Sequence, residues 1–370
     1  MEEKKWYGLN HPGEIDSPAL LIYKDRITYN IQQMISIAGS AERLVPHVKT
    51  HKMAEIVKMQ MAAGIYQFKC ATIAEAEMLA DAGAKSILLA YQLNHPKAER
   101  FLSLVKKYPG IQFSSLVDNS ESAQLLNELF GKEELTANVF IDVDSGMHRT
   151  GIAPDDKLYD LFQQLQALPH IKFLGLHAYD GHIHAEEHET RTRHCEPCAV
   201  KIIYKQKIID SGFSDLKIIA GGTPTFTVHA LHSEEYCSPG TCLLWDYGYN
   251  SFLQEQGFKC AAVLLTRVIS KPKEGIITTD LGHKSVSAEN PINKRVFFLN
   301  LNGYEVKSQS EEHLVVEVKD WNDIKVGDVL YGIPYHICPT VALYDEANVI
   351  EEGNLVDKWN ITARRKKITI

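Results

Sequence analysis

The sequence predicts an α/β protein, a (β/α)8 TIM-type barrel followed by an all-β C-terminal domain. Three observations predict it. Helix-like and strand-like segments alternate with a regular beat between residues 24 and 246. After residue 256 that beat gives way to short runs of alternating apolar and polar residues. Finally, 370 residues with 45% hydrophobic and 23% charged content are enough for a large core and two domains.

The strand-like runs of the first part are 44–49, 67–72, 86–91, 112–118, 138–144, 171–179, 217–222 and 240–246. Continuous apolar stretches such as Ile87-Leu88-Leu89-Ala90 point to a parallel sheet covered on its outer face. Between strands lie helical patterns; Met53 to Met61 carries apolar residues at three- and four-residue spacing and stops at Gly64. Eight such units over more than two hundred residues close into a barrel more readily than they form an open sheet. The barrel is therefore expected over 24–255. Residues 1–23 and 256–370 are expected to form the β domain, with Ala19-Leu20-Leu21-Ile22-Tyr23 pairing into it. Its strands read as 260–269, 275–279, 295–301, 313–318 and 326–333, with turn chemistry at Asn302-Gly303 and Glu352-Gly353-Asn354.

Several function classes are excluded early. A net charge of -8 argues against nucleic acid as a partner, and the basic run Arg364 to Lys367 reads as a solvated strand or tail. No apolar stretch approaches a membrane span, and Met1 to Trp6 lacks an apolar signal core, so no membrane partner and a cytoplasmic location are expected. Seven cysteines, an odd count, read as reduced thiols.

Chemistry is sought at strand ends, where parallel barrels carry it. The run His47-Val48-Lys49-Thr50-His51-Lys52 would, if extended, project His47, Lys49 and His51 to one side. A lysine withdrawn from water there becomes a nucleophile able to condense with an aldehyde. The same hexapeptide also reads as a polar surface loop. Gly221-Gly222-Thr223-Pro224-Thr225 offers close backbone approach, hydroxyls and a helix start, which suits an anion or simply a capped turn. His336 and Cys338, two apart on an extended segment, suit two ligands of a borderline metal, or packing. Cys195 and Cys198, preceded by His182, His184, His188 and His194, allow a second metal centre or a redox pair, although the spacing matches no complete ligand pattern.

Taken in order, Lys49, Arg149, the Gly221 to Thr225 loop and the His336/Cys338 pair resemble the D-threonine aldolase and D-serine dehydratase family. These are pyridoxal-phosphate enzymes of the alanine-racemase-like class, built from a barrel and a β domain. The likeness runs from Ser17-Pro18-Ala19 to Thr340, and Pro46 to Lys52 is its most specific part. The resemblance implies that Lys49 bonds the aldehyde of pyridoxal 5'-phosphate, that Arg149 stands near the phenolate, and that His177 approaches the pyridine nitrogen. It implies that Gly222, Thr223, Gly240 and Thr241 hold the phosphate, and that His336 and Cys338 bind a divalent metal, zinc or manganese.

The activity so implied is a lyase acting on D-3-hydroxy amino acids, with retro-aldol cleavage to glycine and an aldehyde placed ahead of dehydration of D-serine or D-3-hydroxyaspartate. His51 and a metal-bound water are the bases for the first route, and Lys49 is the α-proton base for the second. A racemase and a non-catalytic cofactor carrier are the other readings. The His336/Cys338 pair weighs against the racemase, and the long C-terminal β region against the carrier. A small-molecule D-amino acid substrate and a homodimer are expected.

Overall fold

The computed structural model describes residues 5–195, 206–213 and 215–370. Two compact units are distinguished. One comprises Met34–Lys49, Ala54–Gly240 and Arg365–Ile370, and the other Met1–Gln33, Thr50–Met53 and Thr241–Arg364.

Strand β1 (Ala19–Tyr23) belongs to the second unit. Among the described residues the first holds seven parallel strands in sequential order: β2 (Gln67–Cys70), β3 (Ser86–Gln92), β4 (Gln112–Val117), β5 (Ala137–Asp142), β6 (Ile171–Ala178), β7 (Lys217–Ala220) and β8 (Glu235–Cys237). Residues 44–48 close the ring. Leu44 bridges Cys237 and His47 bridges Lys69, both in parallel sense. Val45 N–H donates to Cys237 O at 2.9 Å, and Val48 N–H donates to Lys69 O at 2.9 Å. Pro46, lacking an N–H, breaks the ladder and leaves this eighth stave held by separate bridges. Val45, Leu88, Leu116, Phe140 and Ile219, each from a different stave, form one buried cluster inside the ring. Burying each such side chain contributes about 1.5–3 kcal/mol.

Local signals set the outer helices. Thr72 caps the helix Ile73–Ala82 by accepting Glu75 N–H at 3.1 Å, while Glu75 accepts Ala71 N–H at 2.7 Å. Gly83 then ends it in the left-handed conformation, φ 95°. One expected strand is displaced. The stave after β7 is Glu235–Cys237, whereas the 240–246 run contains a 3-10 turn, Thr241–Leu243. Cys242, Leu243, Leu244 and Trp245 are all buried there, and apolar content alone does not separate a core strand from a core turn.

The second unit is built on one nine-stranded sheet. Its further strands are β9 (Ala262–Lys273), β10 (Ile276–Thr279), β11 (Val296–Phe298), β12 (Tyr304–Gln309), β13 (Leu314–Val318), β14 (Val329–Pro334), β15 (Glu346–Glu351) and β16 (Asn354–Asn360). As expected, β1 pairs into it, antiparallel to β9 and parallel to β15. The sequence reading lacks β12, β15 and β16. Of these, β12 and β16 are sheet edges with mostly exposed side chains, so they carry no continuous apolar face to read. Among the described residues no helix is long and apolar enough to cross a membrane.

Candidate active site

A cavity of about 630 Å³ lies within the barrel unit, in the size range of small-molecule sites. Its wall includes Lys49, Lys69, Asp142, Arg149, His177 and Tyr179. Lys69, Asp142 and His177 stand at or near the C-terminal ends of β2, β5 and β6, the working face of a parallel barrel. Three cations face one ring. Lys49 Nζ, Lys69 Nζ and the Arg149 guanidinium carbon lie 5.8, 5.5 and 5.4 Å from the centre of the Tyr179 ring.

The buried amine is not the expected one. Lys49 is exposed on the cavity wall, whereas Lys69 is 2% exposed. Burial first, and the charge of Lys49 second, push the Lys69 ammonium down to about 7. The expected extended run also ends early. Residues 48–51 form a turn, so His47 and Lys49 line the cavity while His51 belongs to the second unit.

His177 Nδ1 donates to Asp142 Oδ1 at 2.7 Å, and Gln92 Nε2 donates to Asp142 Oδ2 at 2.6 Å. Burial raises the Asp142 carboxyl, but hydrogen bonds from His177, Gln92 and Thr150 outweigh it and hold the group below the ordinary carboxylate value. The carboxylate therefore only accepts, and His177 Nδ1 carries the proton.

The Gly221 to Thr225 loop is braced from below. Gly222 N–H donates to Thr225 Oγ1 at 3.2 Å, Thr225 donates to Asp180 Oδ1 at 2.7 Å, and Gly240 N–H donates to Thr223 Oγ1 at 3.2 Å. Gly221 has φ 71°, and a Cβ there would meet His229 Cδ2 at 2.4 Å. At Gly222 a Cβ would meet the Tyr179 ring at 2.8 Å. Close backbone approach is thus a requirement of the loop, and it joins the loop to the ring that lines the cavity. Thr241, also expected at the phosphate, lies in the second unit with its Oγ1 3.5 Å from Cys338 Sγ.

In the second unit, His336 and Cys338 are not on a strand. His336 immediately precedes the short helix Ile337–Val341, and Cys338 sits in its first turn. The two still come together. Burial raises the Cys338 thiol, but the hydrogen bond and charge of His336 outweigh it and bring the group below the ordinary thiol value. His336 in turn is pulled down by burial, yet Cys338 and Glu289 bring it up to about 9. Glu289 accepts from His336 Nδ1, so Nε2 is the ring nitrogen that could serve a metal. Thiolate, imidazole and a supporting carboxylate are a fitting donor set for zinc.

His51 is fully buried, and burial drives its imidazole down to about 3. Its Nδ1 accepts Met53 N–H at 3.1 Å, so Nε2 bears the ring proton, and that buried atom has no hydrogen-bond partner among the described residues. In this state His51 is a donor rather than a base.

Among the described residues one further cluster has metal-ligand spacing: Asp180, Cys195 and His229, all buried. Its atoms already serve one another. His229 donates to Asp180 at 2.6 Å and to Glu235 at 2.7 Å, which makes it an imidazolium between two carboxylates. Burial pulls His229 down, but its hydrogen bonds to Asp180, Cys195 and Glu235 raise it well above the ordinary value. The candidate pair Cys195/Cys198 has one member here; Cys198 lies outside the described residues.

Lys69, Asp142 and Tyr179 carry no assigned role in the sequence reading. The signal for Asp142 is a charge closing its strand, and for Lys69 a charge set between Phe68 and Cys70 within a short strand; each is costly when buried unless paired.

Residues 22–247 match the family model described as alanine racemase, N-terminal domain, and residues 261–350 match that of a serine dehydratase domain. A D-threonine aldolase from Arthrobacter sp is 29% identical over 357 residues, covering 95% of this chain and 93% of the relative. A 3-hydroxy-D-aspartate aldolase from Paracoccus denitrificans (strain Pd 1222) is 25% identical over 366 residues, with 95% and 93% covered. The crystal structure of D-threonine aldolase from Filomicrobium marinum superposes with a TM-score of 0.87 at 24% identity, over 98% of this chain and 99% of that one, a likeness of fold.

Proposed function

Because the chain belongs to the alanine racemase N-terminal domain family, we propose that it is a pyridoxal-phosphate- and divalent-metal-dependent lyase acting on D-3-hydroxy amino acids, of D-threonine aldolase type. The observation that carries the reading is the convergence of Lys49, Lys69 and Arg149 on one cavity. Three cations around a single ring suit an anionic, phosphorylated aldehyde, and the Gly222 backbone leaves no room for a side chain beside Tyr179.

When bound, pyridoxal phosphate supplies an electron sink for charge at the substrate α-carbon. A divalent metal supplies Lewis acidity at a hydroxyl. On this reading Lys49 Nζ provides the covalent attachment and Arg149 a positive charge. His177, its Nδ1 proton fixed by Asp142, presents Nε2. Gly222, Thr223, Gly240 and Thr241 would hold the phosphate. His336 Nε2 and Cys338 Sγ would hold the metal, with Glu289 orienting the imidazole. His51 contributes its Nε2–H as a donor. The same reading carries a homodimer in the cytoplasm.

Dehydration is the second reading, favoured by the serine dehydratase domain match over 261–350. Incubation with D-threonine and with D-serine decides. Glycine plus acetaldehyde supports the aldolase, ammonia plus keto acid the dehydratase, and neither product from any D-3-hydroxy amino acid overturns both.

A further inference from the structure

The cavity contains an amine to which the reading above gives a charge but no partner. Lys69 sits near the end of β2, 2% exposed, and its Nζ donates to Ser238 Oγ at 2.5 Å. Ser238 passes its own proton to Gly221 O at 2.8 Å, so its lone pairs are turned toward the lysine. On its other side Lys69 Nζ lies 3.5 Å from His177 Nε2. The charged groups around it are Lys49 and Arg149, which repel, and Asp142 and Asp180, which attract.

We propose that Lys69 is a positioning residue: it donates to His177 Nε2, keeps that imidazole in its neutral Nδ1–H form, and leaves the positive charge of the cavity wall on lysine rather than on histidine. The argument follows from donor counting. Asp142 accepts only, so Nδ1 bears a proton. A second proton on Nε2 would set two donors against each other in a buried space, where repulsion between like charges is screened weakly. With Nε2 bare, the contact becomes an N–H···N bond, and an amine offers that N–H whether or not it is charged. Burial and the charge of Lys49 bring Lys69 into the neutral pH range, so lysine is where a proton is gained or lost as pH changes.

The inference deepens the reading above and rests on it for its purpose: the cavity would offer a bound ring lysine's charge and a neutral imidazole. The test needs no bound cofactor, so its failure is distinct from failure of the proposed activity. In 15N-labelled, unloaded protein, long-range 1H–15N correlation reads the protonation of each histidine ring, with His177 assigned through H177L. Wild type is expected to show His177 as the Nδ1–H tautomer between about pH 6 and 8. In K69M the ring, still beside ionised Asp142, is expected to become doubly protonated near neutral pH. A doubly protonated ring in wild type, or an unchanged ring in K69M, overturns the proposal. If K69M does not fold, the Lys69 side-chain nitrogen is titrated in H177L. Loss of the acceptor is expected to lower its midpoint by about one pH unit, and an unmoved midpoint overturns the proposal equally.

Discussion

Asp142 accepts the Nδ1 proton of His177 at 2.7 Å, and both side chains are only 6% exposed. Replacing Asp142 by Ala strands the imidazole N–H and is expected to destabilise the protein by about 1–3 kcal/mol in urea unfolding. Asp142→Asn keeps an acceptor oxygen and should lose less. Equal losses for the two variants would show that the hydrogen bond is not what matters.

His229 gives a pH signature with a definite sign. Its folded value lies well above the ordinary one because Asp180, Cys195 and Glu235 outweigh burial. Its contribution is therefore complete below the unfolded value, about 6.5, and is lost as pH rises through the folded value. The stability gap between wild type and His229→Gln should narrow as pH is raised. Urea midpoints across a pH series measure it, and a gap that widens with pH contradicts the assignment.

Lys49 is expected to carry the cofactor. Borohydride treatment of pyridoxal-phosphate-soaked protein should fix the absorbing group to the wild-type chain, and peptide mapping should place it at Lys49. Lys49→Ala should leave it unfixed. Fixation at Lys69 instead would reassign the two amines.

The metal reading separates donors from support. Cys338→Ser replaces a thiolate by a weak donor and should abolish tight zinc binding in calorimetric titration. Glu289→Gln keeps the donors, loses only the support to His336, and should weaken binding by about 10–100-fold. Because the ligands must lose protons, affinity should fall as pH is lowered. A chelator should remove activity while leaving the cofactor spectrum in place.

Gly222→Ala adds a methyl that would meet the Tyr179 ring at 2.8 Å. The loop or the ring must shift, so pyridoxal-phosphate affinity should fall by at least about tenfold, which corresponds to 1.4 kcal/mol. Fluorescence titration measures the change.

Much of this was legible because local pattern determines it. The beat of strands and helices, the pairing of β1 into the second sheet, and the approach of His336 to Cys338 all follow from short stretches. What stayed hidden depends on register across the ring. Lys69 is visible as a charge between Phe68 and Cys70, but its partners His177 and Ser238 stand 108 and 169 residues away. Nor does alternation reveal that the chain turns after His47, which exposes Lys49 and leaves the buried amine on the neighbouring stave. The stave after β7 reads as 240–246 rather than Glu235–Cys237 because a buried turn and a buried strand share one composition.

The segment that bears Lys49 is fastened to its neighbours at isolated points, with Pro46 contributing no donor of its own. Breathing of the wall is least costly where the ladder is thinnest. Deuterium uptake at Val45, His47 and Val48 consequently follows the footing of Lys49 itself, and occupancy of the cavity can be monitored from the backbone with no chromophore at all.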